Sequence, residues 1–349
     1  MLFAFLGISS LSLCAMSQTN EKVVDALFAD FDQASSPGAA VIVIKDGKAL
    51  FAKGYGLADL EKKIPCTTNT NFRLASVTKQ FTAMAVLILA EQGNLSLRDR
   101  LPKFFPEFSA YSEAISLRHL LTHTSGLPHY EDHIPDGTTI PLSDRDVLVI
   151  LRQQSKTDFV PGAQFHYSNS GYALLALIVE NVSGKTFPMF VKEKIFDPLG
   201  MTNSVAYVAG LSFVPNRAYG YANGKNGWEF SDQTVTSAVL GDGGIYSSIA
   251  DLFKWDQALY TEQLISPKML AEAFTPHSSE SDFQGSGYGY GWYVGNFRGT
   301  ERIWHYGSTC GFSTRIERLP GRKLSVIVLS NRRDVEISPT IKKLMELFW

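Results

Sequence analysis

The sequence predicts an α+β fold in which helices flank an antiparallel β-sheet and a mostly helical lobe is inserted in the middle of the chain. Three observations support this prediction. Asp46-Gly47 lies between two apolar runs near the start, short strand-like runs lie near the end, and helical periodicity dominates between them. This order favours one sheet assembled from both ends of the chain.

The first expected elements are a helix and a hairpin. Apolar residues, among them Leu27 and Phe31, recur at helical spacing from about residue 21 to 34. The apolar runs 41–44 and 49–52 then flank the Asp-Gly turn, and this arrangement is a strong hairpin signal.

Helical segments form the middle of the chain, and Ser116 and Ser143 are the expected N-caps of two of them. The predicted segments are 76–92, 116–123, 143–154, 169–183 and 186–196.

The last third of the chain returns to strands. A helix from about 248 to 260 precedes short apolar runs separated by turn residues, and a helix at about 338–348 follows them. The predicted strands are 288–294, 302–305, 312–318 and 324–329, with Pro320-Gly321 as the turn between the last two.

No internal repeat or linker divides the chain, so the sequence predicts a single domain over residues 18–349. Within it we expect a sheet lobe formed by about 18–75 and 235–349 and a helical lobe formed by about 76–234. The composition is 45% hydrophobic and 19% charged, with a formal net charge of −2. This balance gives no reason to expect a nucleic-acid partner.

Residues 1–17 carry no charge and are largely apolar. Such a run is short for a membrane span and typical of a signal-peptide core, so we expect a periplasmic or secreted protein. Cys14 lies in a weak match to a lipoprotein box, and we expect membrane attachment only if Cys14 is lipidated. Whether Cys66 and Cys310 form a disulfide cannot be read from their spacing.

Ser76 and Lys79 form the only Ser-x-x-Lys pattern in the chain, at the start of a strongly apolar helical run. Residues three apart lie on one helical face, so the lysine is placed beside the serine hydroxyl. A serine hydroxyl becomes a strong nucleophile only when a neighbouring group takes its proton. The four-residue pattern alone is weak, because chance supplies it once or twice in a chain of this length.

Tyr167 and Asn169 are the second candidate pair, directly before an apolar helix that Asn169 or Ser170 could cap. A tyrosine can transfer protons when its environment adjusts its pKa, and an asparagine can hydrogen-bond both a lysine and a substrate carbonyl. Without further context, an aromatic core residue followed by a helix cap explains the same residues. Another Tyr-x-Asn occurs at Tyr221 and Asn223.

The third candidate lies on a predicted strand that contains His305, Gly307 and Ser308. A glycine inside a strand permits close approach of a ligand or another backbone. Backbone N–H groups on such a strand, together with that of Ser76, could form an oxyanion hole.

Ser76-x-x-Lys79, Tyr167-x-Asn169 and His305-x-Gly307 together resemble the three ordered motifs of the class C β-lactamase-like serine hydrolases. This penicillin-recognising family also holds low-molecular-weight penicillin-binding proteins, D-aminopeptidases and carboxylesterases. Further similar segments are 54–59, 72–76, 120–128 and 243–248, so the resemblance covers about 20–345. It implies a β-lactamase/transpeptidase-like fold and no cofactor.

The resemblance also implies roles for individual residues. Ser76 would be the acylated nucleophile, and Lys79 and Tyr167 would share the proton transfers. Asn169 would position Lys79 and the substrate. His305 and Gly307 would line the strand side of the cleft, and the backbone N–H groups of Ser76 and Ser308 would form the oxyanion hole.

One departure from the family pattern concerns the third motif. β-Lactamases of this family usually carry Lys-Thr-Gly there, whereas this chain has His305-Tyr306-Gly307, which resembles the esterase and D-amino-acid peptidase branches. Short-chain esters are therefore the first expected substrates, D-amino-acid peptides or peptidoglycan fragments the second, and β-lactams the third.

Two other functions compete with this interpretation. His119 and His123 are spaced i, i+4 and could hold a metal, but they lie in a segment similar to a family loop, so no metal is expected. A non-catalytic peptidoglycan-recognition protein on the same fold is the second alternative. An α/β-hydrolase is disfavoured, since the sequence contains no Gly-x-Ser-x-Gly.

Overall fold

A computed structural model of the protein describes residues 18–108, 110–278 and 282–349. The predicted signal peptide and Cys14 lie outside the described residues, so both remain predictions.

Antiparallel strands form the largest layer of the molecule. Its seven-stranded sheet has the order β10-β11-β12-β13-β14-β1-β2, so strands from both ends of the chain meet where β14 pairs with β1. The described strands are β1 (Ala39–Lys45), β2 (Lys48–Tyr55), β3 (Leu57–Asp59), β4 (Ile64–Pro65), β5 (Phe72–Arg73), β6 (Val205–Ala206), β7 (Tyr221–Gly224), β8 (Gly227–Phe230), β9 (Ile245–Ser247), β10 (Gly287–Tyr288), β11 (Tyr293–Phe297), β12 (Thr300–Thr309), β13 (Phe312–Leu319) and β14 (Leu324–Ser330).

Helices cover both faces of this sheet. The described helices are α1 (Gln18–Leu27), α2 (Lys79–Glu91), α3 (Leu117–Leu121), α4 (Asp144–Arg152), α5 (Asn169–Ser183), α6 (Phe187–Val191), α7 (Asp197–Leu199), α8 (Leu240–Gly243), α9 (Ile249–Ala258), α10 (Pro267–Ala273) and α11 (Ile337–Leu347). A π-helical turn at Lys192–Phe196 joins α6 to α7.

Two apolar layers hold the sheet between its helices. On the outer face, Val24 of α1, Phe28 directly after it and Leu344 of α11 pack against alternate residues of β1, β2 and β14. On the inner face, α2, α5 and α9 form the larger core with the opposite residues of the same strands. The period-two alternation of strand side chains explains how one sheet serves both layers.

The mixed helical and antiparallel architecture confirms the predicted fold class. The hairpin around Asp46 and Gly47 is present, and both residues have positive φ values of 49° and 76°, as a type I′ turn requires. The Ser116 and Ser143 side chains cap α3 and α4 as predicted.

Some predicted boundaries were wrong. Helix α1 ends at Leu27 instead of 34, because irregular turns occupy the residues that follow it. The predicted strand 288–294 is divided into β10 and β11 by a tight turn at Gly291, whose φ is 79°. Ser168, instead of Asn169 or Ser170, caps α5 by accepting the N–H of Gly171.

The cysteines and the apolar helices bear on disulfide formation and on membrane attachment. Cys66 and Cys310 are both buried and free. In the described part of the chain, no single helix has the length and hydropathy of a membrane span. Asn169–Ser183 and Phe187–Leu199 meet those criteria only jointly, across a 78° bend.

Candidate active site

Ser76 lies in a 3₁₀ turn, Ala75–Thr78, that leads directly into α2. The residue before it, Ala75, has a φ of +48°, which is a left-handed conformation that residues other than glycine rarely adopt. Backbone strain of this kind persists only where the surrounding structure enforces it, and it is frequent at active sites. Ser76 is half-buried at the base of a polar cleft.

Lys79 is completely buried beneath Ser76, and its Nζ has three polar contacts. It lies 3.1 Å from Ser76 Oγ, 2.7 Å from Asn169 Oδ1 and 2.9 Å from the carbonyl oxygen of Asp242. The amide and carbonyl oxygens can only accept hydrogen bonds. A neutral Lys79 amine therefore uses both of its N–H groups on these two oxygens, and its lone pair is directed at the Ser76 hydroxyl.

Burial lowers the pKa of Lys79 below its ordinary value of 10.5, while the Asp242 and Glu131 carboxylates act in the opposite direction. The net effect favours the neutral amine more than water does. A larger fraction of Lys79 is therefore neutral than in water, and the neutral amine is the form that a general base needs.

Tyr167 lies beside the same lysine, and its ring centroid is 4.9 Å from Lys79 Nζ. Its hydroxyl is buried and has no partner at hydrogen-bond geometry among the described residues. Burial raises the pKa of Tyr167 well above its ordinary value of 10, and an interaction with the Ser76 hydroxyl lowers it only in part. The environment therefore keeps Tyr167 as a phenol, which can donate a proton and accept another.

Asn169 is the first residue of α5 and joins two segments of the site. Its Oδ1 accepts a hydrogen bond from Lys79, and its Nδ2 donates one of 2.7 Å to Glu131 Oε1. The second carboxylate oxygen, Glu131 Oε2, has no hydrogen-bond partner among the described residues. Glu131 also lines the cleft.

Strand β12 passes next to the Ser76 backbone, at Gly307. A methyl group on Gly307 would overlap the carbonyl oxygen of Leu74 and lie 2.9 Å from the backbone nitrogen of Ser76. Only glycine therefore permits this approach. It places the next residue, Ser308, on the cleft wall opposite Ser76, where the two backbone N–H groups can act as oxyanion donors.

His305 is fully buried, and its side chain does not line the cleft. Its Nδ1 lies 2.7 Å from the carbonyl oxygen of Tyr306, and its Nε2 lies 2.8 Å from the Tyr288 hydroxyl. Since a carbonyl only accepts, Nδ1 carries the proton and Nε2 accepts from Tyr288. Burial lowers the pKa of His305 to about 3, so the ring is neutral.

The structure thus brings Ser76, Lys79, Tyr167 and Asn169 together around one point, with Gly307 and Ser308 across the cleft. Sequence reasoning did not assign site positions to several residues that line this cleft. They are Arg73, Tyr130, Glu131, Thr236 and Asp242. Glu131 lies in sequence between His129 and His133, and Asp242 lies in the glycine-rich stretch 241–244, so neither carries a local pattern that predicts a place in the cleft.

The histidines that suggested a metal have other contacts. His119 Nδ1 accepts the backbone N–H of Ser116 in the capping box of α3, and His123 Nδ1 accepts the backbone N–H of Ser168. Among the described residues, no three His, Cys, Asp or Glu side chains are grouped as metal ligands.

Comparison with known proteins gives matches over nearly the whole chain. The family model "Beta-lactamase" matches residues 24–342. Penicillin-binding protein 4* of Bacillus subtilis (strain 168) is 32% identical over 347 residues, which cover 95% of this chain and 76% of that protein.

Solved structures agree with this result. An octameric penicillin-binding protein homologue from Pyrococcus abyssi has a TM-score of 0.81 and 29% identity, and the match covers 95% of this chain and 77% of that one. D-amino acid amidase from Ochrobactrum anthropi SV3, complexed with L-phenylalanine amide, has a TM-score of 0.75 and 23% identity, with coverage of 90% and 91%. The likeness to the amidase concerns the fold.

Proposed function

The chain belongs to the Beta-lactamase family, and we propose that it is a serine hydrolase in which Ser76 forms an acyl-enzyme with an amide or ester substrate. The observation that carries this proposal is the set of contacts around Lys79. Two fixed acceptors leave the lysine lone pair to the Ser76 hydroxyl, 3.1 Å away.

Acylation follows from this geometry. Ser76 Oγ attacks the acyl carbon while its proton passes to Lys79 Nζ, and the carbonyl π electrons move to the substrate oxygen. The backbone N–H groups of Ser76 and Ser308 stabilise the resulting oxyanion. The carbon–leaving-group bond then breaks, and the departing atom receives a proton from the Tyr167 hydroxyl, which Lys79 reprotonates. In deacylation, a water molecule attacks the acyl carbon and gives its proton to the same proton-transfer groups. The bond between the acyl carbon and Ser76 Oγ then breaks, Oγ is reprotonated, and the carboxylic acid is released.

The substrate class is suggested by the electrostatics of the cleft. Glu131 lines the cleft beside Asn169, and one of its carboxylate oxygens has no hydrogen-bond partner among the described residues. His305, which takes the place of the lysine in the third motif, is neutral and does not line the cleft, so it supplies no cation there for an anionic group. A substrate with an ammonium group near its scissile carbonyl complements this arrangement. We therefore favour aminoacyl amides, peptides or esters, which agrees in class with the amino-acid amide named for the amidase.

Covalent labelling tests the proposed function. After incubation with a phosphonate or penicillin probe, intact-mass measurement should show one adduct on Ser76, and the Ser76→Ala variant should show none. Turnover is then compared for p-nitrophenyl acetate, D-alanyl p-nitroanilide and nitrocefin. Labelling of Ser76 without any turnover would support a binding protein instead, and the absence of both would refute the proposal.

The role of Glu131 is tested with Glu131→Gln, because glutamine keeps the oxygen that accepts from Asn169 and removes the negative charge. We expect kcat/KM for D-alanyl p-nitroanilide to fall about 10–100-fold, as for loss of one close charge pair. The N-acetylated substrate, which has no ammonium group, should be affected much less. Equal losses for both substrates would contradict ammonium recognition by Glu131.

A further inference from the structure

His123 contacts the backbone on both sides of Tyr167. Its carbonyl oxygen accepts the N–H of His166 at 2.8 Å, and its Nδ1 accepts the N–H of Ser168 at 3.0 Å. The residues directly before and after Tyr167 are therefore both hydrogen-bonded to His123. Its backbone position depends on His123 although the two residues are 44 positions apart.

The imidazole of His123 also packs on the phenol ring of Tyr167. The two ring centroids are 4.2 Å apart with an interplanar angle of 34°, and the His123 side chain is buried. Tyr172 and Tyr288 surround the same imidazole, at 5.1 Å and 4.5 Å. Because these rings occupy the neighbouring space, the Tyr167 side chain has little freedom to leave its rotamer.

The backbone of His123 is itself constrained. Its φ of +57° places it in the left-handed region, directly after the last turn of α3. A residue other than glycine adopts this conformation when several contacts enforce it, and such positions concentrate at functional sites. In this conformation, the carbonyl group and the side chain of His123 both face the segment 166–168.

We propose that His123 is a positioning residue that holds the Tyr167 hydroxyl at Ser76 and Lys79, through two backbone hydrogen bonds and one ring contact. The proposal rests on the proton-transfer role given to Tyr167 in the proposed function. His123 has no contact with the reacting atoms, so it acts through Tyr167 alone.

The protonation state of His123 agrees with this role. Burial lowers its pKa well below the ordinary value of 6.5, and Lys79, when it is protonated, acts in the same direction. The ring is therefore neutral, and since Nδ1 accepts from Ser168, the proton is on Nε2. A neutral imidazole adds no positive charge beside Lys79, so it does not oppose proton transfer to that amine.

Two substitutions separate the contacts that His123 makes. His123→Asn keeps an acceptor near the position of Nδ1, and asparagine tolerates the left-handed backbone. His123→Phe keeps the ring but loses the acceptor, so the Ser168 N–H has no partner. His119→Phe is the control, because His119 lies one helical turn earlier and caps α3 without contacting Tyr167.

We expect His123→Phe to lower kcat for D-alanyl p-nitroanilide about 100-fold, as for displacement of a reacting group by about 1 Å, with little change in KM. His123→Asn should recover most of that loss, and His119→Phe should remain within about twofold of the native protein. Circular dichroism and thermal unfolding check that each variant is folded.

A double-mutant cycle decides between positioning of Tyr167 and a general structural role. In the Y167F background, H123F should change the rate of Ser76 adduct formation, followed by intact mass, by less than about twofold. If H123F costs the same factor with and without the Tyr167 hydroxyl, His123 acts through Asn169 or the fold, and the proposal is overturned.

A readout independent of activity separates this proposal from the proposed function. In ¹³C-tyrosine NMR, the signal assigned to Tyr167 by Y167F should be single in the native protein and in H123N. It should shift and broaden in H123F. An unchanged signal in H123F overturns the positioning role, whereas a native protein that is never labelled at Ser76 refutes the proposed function.

Discussion

At the scale of single residues, the site depends on where protons are held. Lys79 is buried and surrounded by acceptors, whereas Tyr167 is buried next to a serine hydroxyl and a lysine. These environments shift the two pKa values away from each other: that of Lys79 is lowered and that of Tyr167 is raised. Opposite pKa shifts in one site favour different tasks, which supports the roles proposed above for Lys79 as the base and Tyr167 as the proton relay.

The pH dependence of kcat/KM follows from Lys79. The active form is the neutral amine, so activity should rise with pH through a pKa that burial places below the ordinary 10.5 of lysine. Since the pKa of Lys79 is lowered to about 8, we expect the midpoint of this rise near that value. His305 does not contribute, because its pKa is lowered to about 3.

This dependence is measured as kcat/KM for D-alanyl p-nitroanilide from pH 6 to 10, with thermal unfolding at each pH as the control for stability. A profile that is flat over this range would exclude Lys79 as the titrating base. A profile that changes its midpoint in His305→Gln would show that His305 titrates there after all.

At the scale of elements, strand β12 has to pass very close to the 3₁₀ turn that carries Ser76. Gly307→Ala places a methyl group against the Leu74 carbonyl and the Ser76 backbone nitrogen, so the strand must move away. Because this movement separates the two backbone N–H groups proposed as oxyanion donors, we expect kcat to fall about 100–1,000-fold.

The control for Gly307→Ala is Gly321→Ala, whose added methyl group would meet its nearest neighbour, a Thr300 methyl, only at 4.0 Å. Steady-state kinetics and thermal unfolding of both variants give the comparison. Activity of Gly307→Ala within a few-fold of the native protein would contradict the role of β12 in the oxyanion hole.

The short helix α8 also depends on one buried carboxylate. Asp144 accepts the backbone N–H groups of Leu240 and Gly241 at 2.9 Å and 3.0 Å, and the same turn presents the Asp242 carbonyl to Lys79. In Asp144→Asn one of the two N–H groups faces an amide NH₂ group or loses its partner. We expect a loss of about 1–3 kcal/mol in stability.

The same substitution should lower kcat/KM, since the Asp242 carbonyl fixes one N–H of Lys79. Asp146→Asn is the matched control in the same helical turn, because Asp146 caps α4 through Ser143 and does not contact α8. Chemical denaturation and kinetics of both variants test the link. An Asp144→Asn enzyme with native kcat/KM would show that α8 is held by its other contacts, such as the Thr82 hydroxyl on Gly241.

Elements with local signals could be predicted from the sequence. The hairpin at Asp46-Gly47 depends only on two residues that readily adopt positive φ values. The starts of α3 and α4 each depend on one serine side chain, that of Ser116 or Ser143. The end of α1 and the division of the strand at Gly291 depend on tertiary packing, which leaves no comparable local pattern.

At the scale of the whole molecule, the site gathers residues that the chain separates widely. Ser76, Lys79 and Asn169 could be predicted to meet because their spacing resembles known motifs. Glu131 and Asp242 could not, since each lies in a short helical turn whose placement beside Asn169 or Lys79 depends on tertiary packing. The burial of His305 is also a property of the assembled aromatic layer around Tyr288, which no strand pattern encodes.

That burial gives a prediction about stability. The pKa of His305 is lowered to about 3 in the folded protein, compared with 6.5 for an exposed histidine. Between these values the unfolded chain binds a proton that the native protein does not, so the stabilising contribution of neutral His305 is lost as pH falls below about 6.5. Each pH unit should cost about 1.4 kcal/mol.

Buried acids oppose this effect, because burial raises the pKa of Asp144 to about 7 and that of Asp242 above its ordinary value. These groups take up protons on folding in the same pH range, and His123, with its lowered pKa, releases one. The total free energy of unfolding is therefore a poor measure of His305, whereas the difference in that free energy between the native protein and His305→Gln isolates its contribution.

We expect His305→Gln to be less stable than the native protein at pH 7.5 and to lose most of that deficit by pH 5, as measured by urea unfolding at both pH values. His133→Gln, at an exposed position, is the control. A deficit that is the same at pH 7.5 and pH 5 would contradict a neutral, buried His305.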